Sequence, residues 1–382
     1  MPYEEVYEPV RGPAAFEQTE GSAVLSQAAI LFALAYQLRG VTIERLLDLV
    51  PGFRDFPVPH LRPRQGDVDP GKARDFLRGR YGDAIRRRIR ARETLPPGSE
   101  ILADLARVVF QEKETALAAT ALIDLCLRHP DELVRVTAAA CYAQLGAFRP
   151  ELLPWLREGA SSEEELVREI AANELARVAP DDPRLLELME KSPGAEGVEP
   201  SHTSLLVHGT WARGGAWWQP GGIFHSYLQH VRPGLYAAAD RFDWSGGYSD
   251  LARALGALEL CGWVGTRGLN GLDLFAHSHG GSVAMLGGRG GLDIGELVLL
   301  SCPVHVPKYE PDFRRVKKVV SIRVHLDLVI LADGGGQRFR DPRIDEHVLP
   351  VWFRHSATRD PVIWQNFNVP SMLQSPSGIE SV

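Results

Sequence analysis

The chain has 382 residues, 45% of them apolar and 24% charged, with a net charge of -7, an average soluble composition that excludes disordered, collagen-like and membrane-protein classes. A length prior of about 150 residues per domain gives two or three units, with two as the working number, and the acidic balance supplies no global attraction for nucleic acid. The four cysteines, at positions 126, 141, 261 and 302, have neither paired nor metal-ligand spacing, which fits a reducing compartment.

The N-terminus, Met1 to Glu20, is acidic and carries Pro2, Pro9 and Pro13, so it has no charged n-region or apolar core of a secretory signal. The stretch Ala23 to Leu38 is apolar but broken by Ser26, Gln27 and Gln37, and it falls short of the roughly 20 residues that span a bilayer. It reads as a buried or amphipathic helix, and the expected location is cytoplasmic. Residues 54–92 hold 12 Lys and Arg against 5 Asp, ending in the basic run Ala84 to Arg92. The interleaved Asp67, Asp69, Asp75 and Asp83 make this a solvated or ion-paired helix face rather than a lipid or nucleic-acid site.

The two halves differ in character. Residues 1–198 hold 25 basic and 32 acidic residues, whereas residues 199–382 hold 17 of each. Trp155 stands alone in the first half, against seven tryptophans in the second. Lys191-Ser-Pro-Gly-Ala-Glu-Gly-Val-Glu-Pro200 is rich in turn formers and reads as the linker, placing the boundary near residue 198. Within the first half, Glu132-Leu-Val-Arg-Val-Thr-Ala-Ala recurs 33 residues later as Glu165-Leu-Val-Arg-Glu-Ile-Ala-Ala. Each copy has helical period and follows another short helical segment, 113–128 or 150–158, with Asp131 and Glu163 to Glu165 suited to the positive helix end. This pattern resembles HEAT repeats over about 113–190 of an all-α domain, 1–198. The resemblance implies either a surface for a protein partner or a scaffold for the second domain.

In the second half, Ser204-Leu-Leu-Val-His-Gly-Thr-Trp211 reads as a buried strand entering a glycine turn. The strand-like Leu272-Asp-Leu-Phe-Ala-His passes through Ser278 into a helix-compatible segment beginning His279-Gly280-Gly281. A serine on so tight a strand-to-helix turn is pushed out above the sheet edge, and its flanking residues must be small. Further strands follow at Glu296–Pro303 and within Val319–Ile330, and Leu235–Trp244 reads as one more. Asp327 stands at or just past the end of its strand, and His355 follows the apolar run Val348 to Phe353, 28 residues beyond Asp327.

Residues 199–382 therefore resemble the α/β-hydrolase fold on its lipase and esterase side, a mostly parallel sheet, with Ala276 in place of the first glycine of Gly-x-Ser-x-Gly. The chain order Ser, Asp, His is that of the family. The resemblance implies Ser278 as nucleophile, His355 as general base and acid, and Asp327 as its orienting carboxylate. It places the oxyanion against the backbone N–H of His279 and of Thr210 or Trp211. Asp333 is the alternative acid and His347 the alternative base, and His325 reads as a packed or surface histidine. The aromatic loops supply Trp217, Trp218 and Trp244 as candidate pocket walls, suited to an acyl ester or lipid substrate. No cofactor or metal is implied, since His208, His277 and His279 around a serine turn point in different directions. Nucleic acid and membrane are not expected partners. The alternative reading is a binding protein whose hydrolase-like half is inert.

Overall fold

The computed structural model describes residues 20–56, 58–61, 68–90, 99–111, 115–190, 204–232, 234–236 and 241–374. They form two compact units, one drawn from residues 10–180 with 331–334, the other from 181–330 with 335–382. The linker Lys191–Pro200 lies outside the described residues, as do the side chains of the basic run from Ala84 on. The division between the units falls at Pro180 and Asp181. Helix α9 (Pro183–Leu188, numbering all helices in chain order) goes with the second unit, where Met189 Sδ lies 3.7 Å from where a Cβ on Gly247 would sit.

The first unit is helical: α1 (Glu20–Leu38), α2 (Ile43–Leu49), α3 (Pro70–Arg90), α4 (Ser99–Gln111), α5 (Thr115–Cys126), α6 (Glu132–Gln144), α7 (Leu153–Gly159) and α8 (Glu165–Val178). The internal repeat is visible in its hydrogen bonds. Arg135 donates to the carbonyls of His129 (2.9 Å) and Pro130 (2.6 Å), and Arg168, 33 residues on, donates to those of Ser162 (2.6 Å) and Glu163 (3.2 Å). The arginine of each Glu-Leu-Val-Arg thus folds back over the turn that enters its own helix. Asp131 caps α6 through Val134 N–H as expected, whereas α8 has no side-chain cap from its acidic run; Ser162 Oγ accepts from Glu164 N–H instead.

Alanines 138 to 140 of α6 and 171 to 172 of α8 are buried. Beside them, Gly159 leaves so little room that a Cβ would come within 2.6 Å of Val136 and 2.9 Å of Ala171. Small residues let these helices close on one another, and α1 packs against α6. Among the described residues no helix is long and apolar enough to cross a membrane. Residues 331–334 also belong to this unit: Tyr36 Oη donates to Leu331 O (3.2 Å), Gln144 Nε2 to Ala332 O (2.9 Å) and an Arg177 Nη to Asp333 O (3.1 Å).

The second unit is built on β1 (Ser204–Val207), β2 (Leu272–His277), β3 (Ile294–Leu300), β4 (Val316–Val324) and β5 (Ile344–Leu349), all parallel, in the order β1-β2-β3-β4-β5. The runs of β1 to β4 are largely buried, as strands covered on both faces must be, whereas the edge strand β5, Ile344-Asp-Glu-His-Val-Leu349, alternates buried with partly buried residues along most of its length. Its helices are α10 (Ile223–Val231), α11 (Asp250–Thr266), α12 (Gly280–Arg289), α14 (Pro361–Asn366) and α15 (Val369–Gln374), with α13 (Leu328–Asp333) running on into residue 333 of the helical unit. Helix α12 packs on β1, β2 and β3, and α11 packs on α12. Of the expected strand at 235–244, the described residues show one parallel bridge, Ser204 to Leu235, and residues 237–240 lie outside them.

Glu174 provides a test of the helical unit. Its side chain is fully buried, with both oxygens accepting from Arg177 at 2.8 Å, and Gln144 Nε2 lies 3.2 Å away. Burial raises its carboxyl to about 7, against the opposing pull of Arg177. A folded pKa above the unfolded one means that the folded state holds the extra proton between the two values. Stability contributed by this group is therefore full below about pH 4.5 and falls as pH rises to about 7. Thermal unfolding followed across that range is expected to show wild type losing ground to Glu174→Gln as pH rises, and parallel curves would contradict it.

Candidate active site

Parallel strands side by side bring their C-terminal ends to one edge of the sheet, where open α/β sheets place their ligand sites. The sequence-expected residues leave the sheet at that edge. His208 and Gly209 follow β1, Ser278 follows β2, Asp327 lies three residues past β4 and His355 six past β5. The backbone between β4 and Asp327 is held in register by His325 N–H donating to Val351 O (3.0 Å) and by a parallel bridge between Asp327 and Phe353.

The turn at Ser278 is tight. Ser278 has φ 53°, in the left-handed region that costs a non-glycine residue about 1–3 kcal/mol. Its N–H donates to Leu300 O of the neighbouring strand at 2.8 Å. A Cβ at Gly280 would lie 2.4 Å from Val207 O and 2.7 Å from His208 O; one at Gly281 would lie 2.4 Å from Cys302 Sγ; one at Gly209 would lie 2.8 Å from Ser278 Cβ. Both loops at this sheet edge are in backbone contact. Ser278 is 8% exposed, and among the described residues its hydroxyl makes no hydrogen bond, including none to His355.

His355 Nδ1–H donates to Asp327 Oδ2 at 2.8 Å, and both side chains are buried. The other oxygen of Asp327 accepts from the N–H groups of Val329 (3.0 Å) and Ile330 (3.2 Å) at the start of α13. Gln337 fixes the same residue by its backbone, its Oε1 accepting from Asp327 N–H (3.1 Å) while its Nε2 donates to Asp327 O (2.9 Å). A carboxylate so bonded is held in one orientation. The carboxylate bonded to His355 is thus that of Asp327 and not of Asp333. His347 lies on β5 and pairs with Asp345 at 3.1 Å, and His325 stacks on Trp352 with ring centroids 4.8 Å apart.

The three histidines near the elbow have separate partners. His277 Nε2–H donates to His355 O at 3.5 Å, and the two rings meet edge to face at 4.7 Å. Burial, with His355 and Arg359 nearby, pushes the His277 imidazole well below its ordinary range and keeps it neutral. His279 Nδ1 and Thr210 Oγ1 are hydrogen-bonded at 2.8 Å. His208 Nδ1–H donates to Gly209 O at 2.9 Å, its ring lying 4.6 Å from Trp218 and 5.7 Å from Trp244.

Those last two indoles correct an expectation. Trp218 and Trp244 are fully buried core residues, and their Nε1–H groups are spent on Ala212 O (2.7 Å) and His208 O (2.8 Å). They clamp the strand-end loop instead of lining a pocket. Trp217 is partly buried, lies 5.3 Å from His277 edge to face and carries the Arg359 guanidinium 4.6 Å over its ring. Trp211, at φ 61°, donates its N–H to Gly246 O at 3.1 Å. The Thr210 to His279 bond is beyond sequence reasoning, since no local pattern joins residues 69 apart, and no motif marks Gln337 as the partner of Asp327 ten residues before it.

Gly280→Ala is expected to lower stability by at least about 1–3 kcal/mol, because the new methyl meets backbone oxygens that cannot move aside. Gly262→Ala, in α11 with open space around it, is the control and should stabilise by about 1 kcal/mol. Equal melting temperatures for the two variants would contradict this account of the elbow.

Compared with the curated proteins and with the solved structures, the chain gives no match. A family model of HEAT repeats matches residues 119–196, the stretch that holds the two Glu-Leu-Val-Arg copies and helices α6 to α8.

Proposed function

We propose that the chain is a serine hydrolase of α/β-hydrolase type that cleaves a carboxylic ester or related acyl bond, with Ser278, His355 and Asp327 as its triad. The observation that carries this reading is the 2.8 Å bond from His355 to a fully buried, triply bonded Asp327. It occurs at the same sheet edge as a serine held at φ 53° between strand and helix. Structural turns seldom keep a serine in that conformation; strain of this kind gathers where a group must be exposed for reaction. The parallel order of five strands, with nucleophile, acid and base following the second, fourth and fifth, supports the same fold reading.

In the first half-reaction Ser278 Oγ attacks the carbonyl carbon and its proton passes to His355 Nε2. The carbonyl electrons move onto oxygen, facing the N–H groups of His279 and Thr210. Collapse breaks the bond to the leaving alcohol, which takes the proton from His355. Water then repeats the sequence on the acyl-enzyme and releases the acid. The Ser278 to His355 hydrogen bond is the contact that substrate binding must close, as such bonds tighten in the Michaelis complex. Asp327 holds the proton of His355 on Nδ1, so that Nε2 is the basic nitrogen.

The substrate class is acyl, with Trp217, Trp211 and Tyr248 as the aromatic surface at this edge; Trp211 and Tyr248 stack at 6.4 Å. The HEAT match favours a companion role for the helical unit, the docking of a protein partner. Labelling with a fluorophosphonate tests the enzyme reading. Wild type should label to one equivalent, Ser278→Ala and His355→Ala should not label, and Asp327→Asn should turn over an acyl ester roughly 10⁴-fold more slowly. Labelling that survives in Ser278→Ala, or none in well-folded wild type, would overturn it.

A further inference from the structure

The side chains of the two residues whose backbone N–H groups would receive the oxyanion are bonded to each other. We infer that the hydrogen bond between Thr210 Oγ1 and His279 Nδ1 is the positioning device of the oxyanion site, an inference that rests on the serine hydrolase reading. Thr210 comes from the loop after β1 and His279 from the turn after β2, and their bond is 2.8 Å long between side chains that are both buried. Close packing at Gly209 and Gly280 brings these loops together but does not by itself aim their N–H groups. β1 and β2 pair only as far as Val207 with Ala276, so beyond that register each loop would set its own N–H direction.

Everything around the pair restrains it further. Trp211 N–H is tied to Gly246 O at 3.1 Å, and Ala212 N–H to Gly209 O at 3.4 Å, which holds the Thr210 loop from its far side. Tyr248 meets the His279 ring edge to face at 5.6 Å while stacking on Trp211, and the His305 ring lies nearly parallel to it at 6.3 Å. The imidazole is therefore fixed by a hydrogen bond at one nitrogen and by rings on its edge and face. An oxyanion site works when its donors are already aimed before charge develops, and loses its advantage when they must reorganise. Thr210 and His279 act through their backbone amides; their side chains set where those amides point.

The expected consequence is a loss in kcat rather than in substrate binding, since aim matters only once charge forms on the oxygen. With p-nitrophenyl butyrate as the probe, Thr210→Val, which keeps the shape and removes the hydroxyl, should lower kcat by about 10- to 100-fold with KM changed by less than about 3-fold. Thr210→Ser should recover most of that loss. His279→Phe should lower kcat similarly, and Thr210→Val with His279→Phe should lose no more than either alone, because both remove one interaction. Melting temperatures of the four variants against wild type separate misfolding from misalignment. An active wild type with a Thr210→Val kcat within about 2-fold of it, or multiplicative losses in the double variant, overturns the positioning role and leaves the hydrolase reading standing. A folded wild type that neither hydrolyses the ester nor labels with fluorophosphonate overturns both.

Discussion

No side chain larger than hydrogen fits at position 280, because the carbonyl oxygens of Val207 and His208 lie where its Cβ would be. That clearance follows from two adjacent parallel strands ending together, one turning into a glycine loop and the other into α12. The close approach leaves the backbone of Ser278 no ordinary conformation, and the residue takes a left-handed φ with its N–H bonded to Leu300 O on the third strand. Geometry elsewhere at this edge depends on it. His277, one residue before, reaches the carbonyl of His355, and His279, one residue after, reaches Thr210. One strained turn thus touches the loops of β1 and β5 and the end of β3.

The charged part of the site is settled by burial rather than by proximity alone. Asp327 is fully buried, and a buried carboxylate is tolerated only when its oxygens are satisfied. Two backbone N–H groups at the start of α13 and one imidazole N–H do this, and Gln337 pins the backbone on which the carboxylate stands. His277 contributes by staying uncharged. A second imidazolium 4.7 Å from His355 would oppose any positive charge on His355, including the one that the proposed mechanism places there.

Much of this was legible in the sequence because it is local. Ser278 is marked by a strand, a turn and small neighbours within ten residues, and the repeat in the helical unit by identical residues at a fixed period of 33. Asp327 and His355 could be placed near strand ends because apolar runs reveal strands, and the roles proposed for them came from the family resemblance. What local pattern does not encode is the pairing of loops across the sheet. Gln337 on Asp327, Thr210 on His279 and the two indoles packed around His208 are products of tertiary packing. Tryptophans 218 and 244 misled for a physical reason: a large ring with a polar handle suits a pocket wall and a core clamp equally, and only the partner of the indole N–H separates them. The turn-rich linker at 191–200 likewise marked a change of composition, whereas the units divide at 180, where α9 joins the sheet-bearing unit.

Ser278, as the proposed nucleophile, is expected to become acylated during turnover. The most direct measurement is rapid mixing of the purified chain with a p-nitrophenyl ester, with the quenched protein taken for intact mass and peptide mapping. A burst of one equivalent of p-nitrophenol, with the acyl group found on the peptide containing Ser278, is the predicted result. A linear time course from the first turnover together with no acyl mass on Ser278, or an acyl group carried by another residue, would contradict it.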